Sequence, residues 1–313
     1  MKTIVVGHGY FGRIYREHLD RHPNFTVVGV CDTDYRRLDI LNGHTVGATY
    51  DLMKDSVEHD AVVICTPPHE HADISIKALA ANKHVLCMKP GAMSMTEFSL
   101  VDEAARESNG VYVIDYTAMR APEYERLVPS DYGWITSISS SRHVAGGPKP
   151  EGIILDLLSH DIAILDHVFY SGFHGKRSRK INVSCSMLNP VAAALTVTSE
   201  DGDRILYANA SYNATYPKKE ILFRIKPDTD ISNPIITTTW NQNQRFVKVE
   251  TQGRSIELHY RHEPDAITRA LDNFLWECMD AWGGPGWYDR IWSVLHAATH
   301  SAEHDGMLIE VEW

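Results

Sequence analysis

Short apolar runs alternate with helical patterns over the first third of the chain. Five runs are separated by segments in which apolar residues recur every three to four positions, as at Ile74, Ala78 and Leu79. This spacing predicts amphipathic helices between buried strands. The runs lie at 4–6, 25–31, 61–65, 85–87 and 111–114. Strands alternating with helices of this length predict a parallel, doubly wound α/β sheet.

The pattern changes near residue 118. One more helical segment, 155–170, is followed by consecutive strand-like runs rich in Val, Ile, Thr and Tyr, with turn residues such as Asp201-Gly202 between them. Consecutive strands predict an α+β domain built on a large, mainly antiparallel open sheet. The runs lie at 181–188, 192–199, 205–214, 219–226, 234–239, 245–250 and 255–260, and helices follow at 265–282 and 289–304. We therefore predict two domains, 1–118 and 119–313, and expect the final helix and strand near 289–313 to pack back on the first.

Composition excludes several classes of protein. The chain has 313 residues, 30 Lys and Arg against 41 Asp and Glu, and a formal net charge of −11. This acidic balance argues against nucleic acid or an anionic membrane as a partner, because no excess of cations is available to displace counterions. No apolar run approaches the ~20 residues that span a bilayer. The five cysteines have no metal-like spacing, so we expect no metal site, reduced thiols and a cytoplasmic location.

A glycine-rich turn joins the first predicted strand to the first predicted helix. Its six residues are Gly7, His8, Gly9, Tyr10, Phe11 and Gly12. In a Rossmann domain, glycines at this spacing allow a tight turn, a close approach of the backbone to a pyrophosphate, and close packing of helix on strand. The free N–H groups of the first helical turn then bind phosphate. The turn therefore predicts a dinucleotide cofactor bound at residues 7–12.

An aspartate ends the second predicted strand and bears on the choice of cofactor. Asp32 lies 20 residues after Gly12, the separation at which an acidic residue accepts hydrogen bonds from the adenosine ribose of NAD. Its charge would repel the 2′-phosphate of NADP. Asp34 adds to that repulsion, whereas Arg36 and Arg37 favour the phosphate. We expect NAD as the cofactor and keep NADP as the less favoured alternative.

Three further motifs are more specific. The first is Thr66-Pro67-Pro68 with His71 three residues later. The second, 83–90, contains Lys-His-Val and ends in Lys89-Pro90. The third, 154–161, contains an aspartate and a histidine four residues apart. Together they resemble the Gfo/Idh/MocA family of NAD(P)-dependent sugar oxidoreductases, which takes its name from glucose-fructose oxidoreductase, inositol dehydrogenase and rhizopine catabolism. The resemblance extends over essentially the whole chain and is densest over 1–120 and 150–170.

The resemblance implies roles for individual residues. Lys89 falls on the catalytic lysine of the family and Pro90 on its proline. Cofactor contacts are implied for Thr66, Pro67, Pro68, His71, Lys89 and Pro90. The resemblance also implies self-association into homodimers or homotetramers through the second sheet.

The third motif also has a chemical interpretation of its own. Asp156 and His160 are four residues apart in a helical segment, so they share one face and can both point at a substrate. Oxidation of a secondary alcohol requires removal of the hydroxyl proton, and a histidine with an ordinary pKa near ~6.5 can carry that proton at neutral pH. Lys89 can stabilise the developing oxyanion. Whether Lys89 or His160 is the base stays open, because neighbouring titrating groups are coupled.

Other polar residues allow a functional or a structural interpretation. Arg120 either contacts a substrate hydroxyl or acid, or forms a salt bridge between domains. A structural interpretation is favoured for three residues on or after a strand that leads into the Gly146-Gly147-Pro148 loop, namely Trp134, Arg142 and His143.

The chain departs from the family pattern at three positions. Met88 stands where the family usually has Glu, so the geometry around the nicotinamide is expected to differ. Gly91 replaces a commoner Leu. Ala163 stands where polyol-type members have a second Asp, which leaves Asp161 alone and argues against a strict inositol dehydrogenase.

These observations lead to one functional hypothesis and two rivals. The leading hypothesis is an NAD-dependent oxidoreductase acting on a secondary alcohol or ketone of a sugar, cyclitol or sugar nucleotide. Substrate contacts are expected from Lys89, Arg120, Asp156 and His160. The rivals are a non-catalytic NAD-binding regulator or sensor of the same fold, and an NAD-dependent glycosidase.

Overall fold

A computed structural model describes most of the chain. The described residues are 1–38, 44–127, 134–170, 180–187, 190–226, 236–251, 253–260, 265–280 and 286–312. They form two compact units, each assembled from two pieces of chain. The first unit contains Met1–Thr117 and Asp265–Tyr288, and the second contains Ala118–Pro264 and Asp289–Trp313.

A six-stranded parallel sheet forms the centre of the first unit. Its strands follow the order β3-β2-β1-β4-β5-β6, and all of its described pairs are parallel. This is the order of a doubly wound dinucleotide-binding sheet, so the predicted fold class of the N-terminal region is confirmed. The elements up to residue 117 are β1 (Lys2–Val6), α1 (Tyr10–Arg21), β2 (Thr26–Cys31), β3 (Thr45–Gly47), α2 (Tyr50–Met53), β4 (Ala61–Ile64), α3 (His71–Ala80), β5 (His84–Met88), α4 (Met95–Glu107) and β6 (Tyr112–Asp115).

The central strands are buried on both faces. All four residues of β4 are buried, and in β1 Ile4 and Val5 have no exposed surface. A parallel sheet covered by helices on both sides requires such continuous apolar strands. The apolar runs at 4–6 and 61–65 therefore predicted these strands although neither run alternates.

A nine-stranded sheet dominates the second unit. Its order is β14-β13-β12-β11-β7-β10-β9-β8-β15, and among the described strands only the β7–β10 pair is parallel. The predicted large, mainly antiparallel sheet is thus confirmed. The elements after residue 117 are α5 (Pro122–Leu127), β7 (Trp134–His143), α6 (Ser159–Tyr170), β8 (Lys180–Met187), β9 (Ala192–Ser199), β10 (Ile205–Ser211), β11 (Lys218–Lys226), β12 (Ile236–Asn241), β13 (Phe246–Thr251), β14 (Arg254–His259), α7 (Ala266–Asp280), α8 (Gly286–Glu303) and β15 (Ile309–Glu312).

The middle of this sheet has one buried face. Along β9, buried and partly exposed residues alternate without interruption, because successive side chains point to opposite faces of a strand. At the edge, all six residues of β14 are exposed. The period-two pattern explains why the strand positions could be predicted within a few residues.

Helix α7 belongs to the first unit, although the change of pattern near residue 118 predicts that 265–288 lies in the second domain. Its Leu271 and Phe274 are fully buried in the core that holds Leu19 and Phe25, and the Phe25 and Phe274 rings stack with centroids 6.5 Å apart. The spacing of apolar residues predicted the helix, but it does not specify the surface that the apolar face covers.

The last strand joins the second sheet, and residues 289–313, for which the sequence predicts packing on the first domain, belong to the second unit. β15 pairs antiparallel with β8, with Val311 opposite Ile181. The Ser301 hydroxyl of α8 accepts a hydrogen bond from the Cys185 N–H at 2.9 Å. Among the helices that the structure describes, none is long and apolar enough to cross a bilayer.

Candidate functional site

A cleft of about 660 Å³ opens in the first unit at the carboxyl ends of β1, β2 and β4. Open α/β sheets bind ligands at this edge, where the strand order reverses. Several residues predicted to bind cofactor line the cleft, namely Gly7, Gly9, Tyr10, Phe11, Asp32, Thr66 and Pro67. The cleft is also lined by residues that the motifs did not identify, among them Thr49, Tyr50, His69 and Glu70.

The glycine turn leaves no room for side chains at two of its positions. Gly7 has φ +86°, and a Cβ there would lie 2.7 Å from the backbone nitrogen of Thr66. A Cβ on Gly12 would lie 1.9 Å from the carbonyl oxygen of Gly7. Helix α1 begins directly after Gly9, with no side-chain cap and no acidic residue in its first turn. The amide groups of that turn therefore fit a phosphate group, which would satisfy them in place of a cap.

Asp32 is held in place by three donors at the edge of the cleft. Its Oδ2 accepts hydrogen bonds from the His8 N–H at 2.7 Å and from Arg37 Nη1 at 3.2 Å, and its Oδ1 accepts the Asp34 N–H at 2.8 Å. The Asp32 side chain is 5% exposed, whereas that of Arg37 is 51% exposed. A charged carboxylate is thus fixed at the cleft with a movable cation beside it.

The His8 side chain contacts the loop that carries Arg37. The residue has no exposed surface, and its Nδ1 lies 2.8 Å from the Arg37 carbonyl oxygen. Burial lowers the pKa of His8, so the neutral imidazole donates from Nδ1. His8 is absent from the residues that line the cleft, and the ring acts by fixing the loop that carries Arg37.

His71 joins two loops of the first unit. It begins α3, is 1% exposed, and its ring nitrogens lie 2.7 Å from the Pro90 carbonyl oxygen and 2.8 Å from that of Thr66. The Thr-Pro-Pro turn and the Lys89-Pro90 segment are therefore connected through one side chain.

Two departures from the family pattern have a structural explanation in this chain. Met88 packs against the apolar core of the first unit. A Cβ on Gly91 would lie 2.4 Å from the Tyr112 hydroxyl and 2.6 Å from Cδ1 of Ile114. Two side chains of β6 thus occupy the space that a larger residue at position 91 would need.

In the second unit, Asp156 lies in a π-helical turn, Ile154–Leu158, that runs directly into α6, where His160 is the second residue. Such π-turns inside helices occur frequently at functional sites. The Tyr212 hydroxyl donates a hydrogen bond to Asp156 Oδ2 at 3.1 Å. Burial and the Asp156 carboxylate raise the pKa of Tyr212. The sequence did not reveal Tyr212 as a neighbour of Asp156, because a tyrosine at a strand end is ordinary.

The aspartate beside His160 has a structural partner. Asp161 accepts hydrogen bonds from Ser140 Oγ at 2.7 Å, Arg142 Nη2 at 2.9 Å and Arg142 Nε at 3.2 Å. The side chains of Arg142 and Asp161 are 3% and 0% exposed. This buried ion pair supports the structural interpretation of Arg142. His143, one residue on, contacts Ser211 Oγ through Nδ1 at 3.0 Å.

Arg120 lies in a single 3₁₀ turn, Thr117–Arg120, and its charge acts on a nearby hydrogen-bonded pair. The Tyr124 hydroxyl lies 2.7 Å from Nδ1 of His167. Burial lowers the pKa of His167, and the Arg120 charge lowers it further. The side chain of Trp134 lies outside the described residues. Among the residues that the structure describes, no group of three or more His, Cys, Asp or Glu side chains could hold a metal ion.

Comparison with known proteins agrees with the fold and the motifs. Residues 1–116 match the model of an oxidoreductase family with an NAD-binding Rossmann fold, Gfo/Idh/MocA. The chain is 23% identical over 265 residues to an uncharacterized oxidoreductase, YrbE, of Bacillus subtilis, which covers 78% of this chain and 77% of that protein. It is 32% identical over 130 residues to inositol 2-dehydrogenase of Salmonella paratyphi B, covering 38% of this chain and 37% of the relative.

A solved structure extends the fold similarity to both units. UDP-N-acetylglucosamine 3-dehydrogenase from Acidithiobacillus ferrooxidans superimposes with a TM-score of 0.80 at 18% identity, over 97% of this chain and 98% of the other. At this identity the similarity establishes the fold. Residues 1–116 thus match the Gfo/Idh/MocA family of oxidoreductases with an NAD-binding Rossmann fold, and the fold similarity extends over both units.

Proposed function

We propose that this protein is an NAD-dependent oxidoreductase that interconverts a secondary alcohol and a ketone on a sugar, cyclitol or sugar nucleotide. The observation that carries the proposal is the cleft of the first unit, where an uncapped helix N-terminus and a fixed carboxylate, Asp32, lie at the same edge of the sheet. The relatives named as inositol 2-dehydrogenase and UDP-N-acetylglucosamine 3-dehydrogenase support the substrate class.

The residues of the cleft fit a dinucleotide. The space beside Gly7 and Gly12 admits no Cβ, and the first turn of α1 offers unbonded amide groups to a pyrophosphate. Asp32 would accept hydrogen bonds from the ribose hydroxyls. When bound, the nicotinamide supplies the site for hydride transfer. The protein then has to orient the substrate carbon and move one proton.

We assign the transfer of that proton to the polar residues of the motifs. His160 would exchange the proton of the substrate hydroxyl, and Lys89 would stabilise the negative charge that develops on the oxygen. Asp156 would orient the imidazole or a substrate hydroxyl, and Tyr212 in turn fixes its Oδ2. Arg120 is proposed as a further substrate contact. The choice of base between His160 and Lys89 is left to the pH profile of turnover.

A substrate panel tests the proposed function. The purified chain would be incubated with NAD and a series of polyols, sugars and sugar nucleotides, and the absorbance of reduced nicotinamide followed. We expect reduction with one structural class only. Binding of NAD, seen as a raised melting temperature, with no turnover on any member would favour a regulator. Cleavage of a chromogenic glycoside without net reduction would favour a glycosidase.

Cofactor choice is expected to depend on Asp32. Asp32→Asn removes the charge and keeps the shape of the side chain. The ratio of kcat/KM with NADP to kcat/KM with NAD should therefore rise by about 10- to 100-fold, which corresponds to the ~1.5–3 kcal/mol of a hydrogen bond to a charged group. The matched control is Asp34→Asn, because Asp34 is paired with Arg36 at 2.8 Å, which already balances its charge; it should change the ratio much less. An unchanged ratio in Asp32→Asn would show that this carboxylate does not select the cofactor.

We also propose that the protein works in the cytoplasm as a homodimer or homotetramer. The five free cysteines are consistent with a reducing compartment. Exposed apolar side chains on strands of the second sheet, Tyr207, Ile256 and Leu258, support self-association through that sheet. Light scattering of the purified chain measures the assembly directly.

A further inference from the structure

Each ring nitrogen of His71 faces a backbone carbonyl oxygen, and the Cys87 side chain lies beside the ring. Its Nδ1 lies 2.7 Å from the Pro90 carbonyl oxygen and its Nε2 lies 2.8 Å from the Thr66 carbonyl oxygen. The residue is 1% exposed, so water does not replace either partner. Both separations are those of well-formed hydrogen bonds.

This arrangement determines the protonation state of the ring. A carbonyl oxygen only accepts hydrogen bonds, and a neutral imidazole has a single N–H, so it can satisfy only one of the two oxygens. The other nitrogen would then direct its lone pair at a buried oxygen less than 3 Å away. When both nitrogens carry hydrogen, each donates to one carbonyl, and the ring is an imidazolium cation.

We propose that His71 is a positioning residue that is an imidazolium at neutral pH, and that its two N–H groups hold the Thr66 and Pro90 carbonyls and thereby fix Lys89. The positioning of Lys89 for turnover rests on the proposed function. The protonation state and the linkage of the two loops do not. The cation would be a built-in part of the site, independent of any bound ligand.

Few titratable side chains lie near His71 among the described residues. Cys87 of β5 interacts with the ring and has no exposed surface. Cys65 follows β4 and is partly exposed. Two carboxylates on neighbouring elements have other partners. Glu70, in the turn before α3, lies 3.9 Å from His69, and Glu97 on α4 accepts the Met93 N–H at 2.8 Å.

The balance of these influences favours the charged ring. Burial lowers the pKa of His71, but Cys87 and the carbonyls of Pro90 and Thr66 raise it, and the net result is a pKa of about 9. An unfolded histidine titrates near ~6.5. The folded state therefore holds its proton more tightly, and the stability that the cation contributes is complete below about pH 6.5 and is lost as the pH rises through about 9.

A neighbouring hydrogen bond provides a matched control. The Tyr112 hydroxyl donates to the Gly91 carbonyl oxygen at 3.4 Å, one residue after the carbonyl that His71 holds. Tyr112→Phe removes this bond to the same segment without changing any charge at neutral pH. It should leave the protonation state of His71 unchanged.

The experiment combines spectroscopy with unfolding. In protein labelled with ¹⁵N at histidine, a long-range ¹⁵N–¹H correlation spectrum distinguishes an imidazolium from either neutral tautomer. The signal of His71 would be identified by its loss in His71→Gln. We expect protons on both ring nitrogens at neutral pH, in the wild type and in Tyr112→Phe.

Urea unfolding between about pH 6.5 and about pH 9 gives the second readout. We expect the wild type and Tyr112→Phe to lose stability over this range by a step that His71→Gln lacks. In the substrate assay, His71→Gln should lower kcat by about 100-fold through displacement of Lys89, with a smaller change in KM. Raising the pH should not restore it.

Two results would overturn the proposal. One is a neutral His71 ring at neutral pH, and the other is the same pH dependence of unfolding in His71→Gln as in the wild type. If His71→Gln does not fold, the His71 signal is assigned instead by correlating its ring with its own backbone resonances in the wild type, and the protonation state read there still decides. Because both readouts need no substrate, a failure of the proposed function would leave them interpretable.

Discussion

Lys89→Ala is expected to lower kcat by about 10²- to 10⁴-fold, the range typical of losing a group that transfers a proton or stabilises an oxyanion. Lys89 directly follows β5, next to the proline whose carbonyl His71 holds. Its loss removes the cation proposed to face the developing alkoxide, but no part of the glycine turn. NAD should therefore still raise the melting temperature of the variant by as much as it raises that of the wild type.

Another lysine near the same strand provides the control for this prediction. Lys83 precedes β5, and its Nζ donates to the His59 carbonyl oxygen at 2.8 Å. Lys83→Ala should keep wild-type turnover. Lys89→Arg keeps the positive charge, so a partial recovery would assign Lys89 to charge stabilisation, and no recovery would assign it to proton transfer. Full turnover in Lys89→Ala would disprove its catalytic role.

Asp161→Asn is expected to destabilise the second unit by about 3–5 kcal/mol, because it leaves the Arg142 guanidinium buried without a counter-charge. The reason lies in the geometry, with two guanidinium nitrogens within 3.2 Å of the carboxylate and both side chains at most 3% exposed. Thermal or urea unfolding measures the loss.

A double variant separates the net contribution of the ion pair to the free energy of unfolding from the loss caused by removing only one partner. Arg142→Met with Asp161→Leu removes both charges, and it should recover most of the stability that Asp161→Asn loses. The surface pair of Lys180 and Glu310, at 2.7 Å and 38% and 57% exposed, serves as the comparison; Glu310→Gln should have no measurable effect. A stable Asp161→Asn variant would mean that the carboxylate is protonated or replaceable by an amide.

The sequence predicted most of the sheet architecture because the two units obey different and recognisable periodicities. Uninterrupted apolar runs such as 61–65 predicted β4, and period-two alternation at 192–199 predicted β9 with the same bounds. Short elements with weak patterns, β3 and α2, were not predicted. The assignment of α7 to its unit also failed, because an apolar helix face fits either of two cores.

The candidate site was predictable where function requires a local pattern and unpredictable where it depends on distant contacts. Gly7 and Gly12 lie five residues apart and are too close in space for a side chain on Gly12. The need for glycine is therefore visible in the local sequence. Tyr212 reaches Asp156 across 56 residues, and Arg142 reaches Asp161 across 19. No spacing rule connects such pairs. Their roles become visible only when the chain is folded.

The first unit is assembled from two distant pieces of chain, so its core cannot be completed until the second piece has been synthesised. Its β-sheet is complete once residue 115 has been synthesised, but the surface around Leu19 and Phe25 is covered by Leu271 and Phe274 of α7. At about 5–20 residues per second, the ribosome needs roughly 8–30 s to reach Phe274. The nascent first unit therefore spends that interval with part of its apolar core open to solvent. It becomes a finished domain only after nearly the whole chain has emerged.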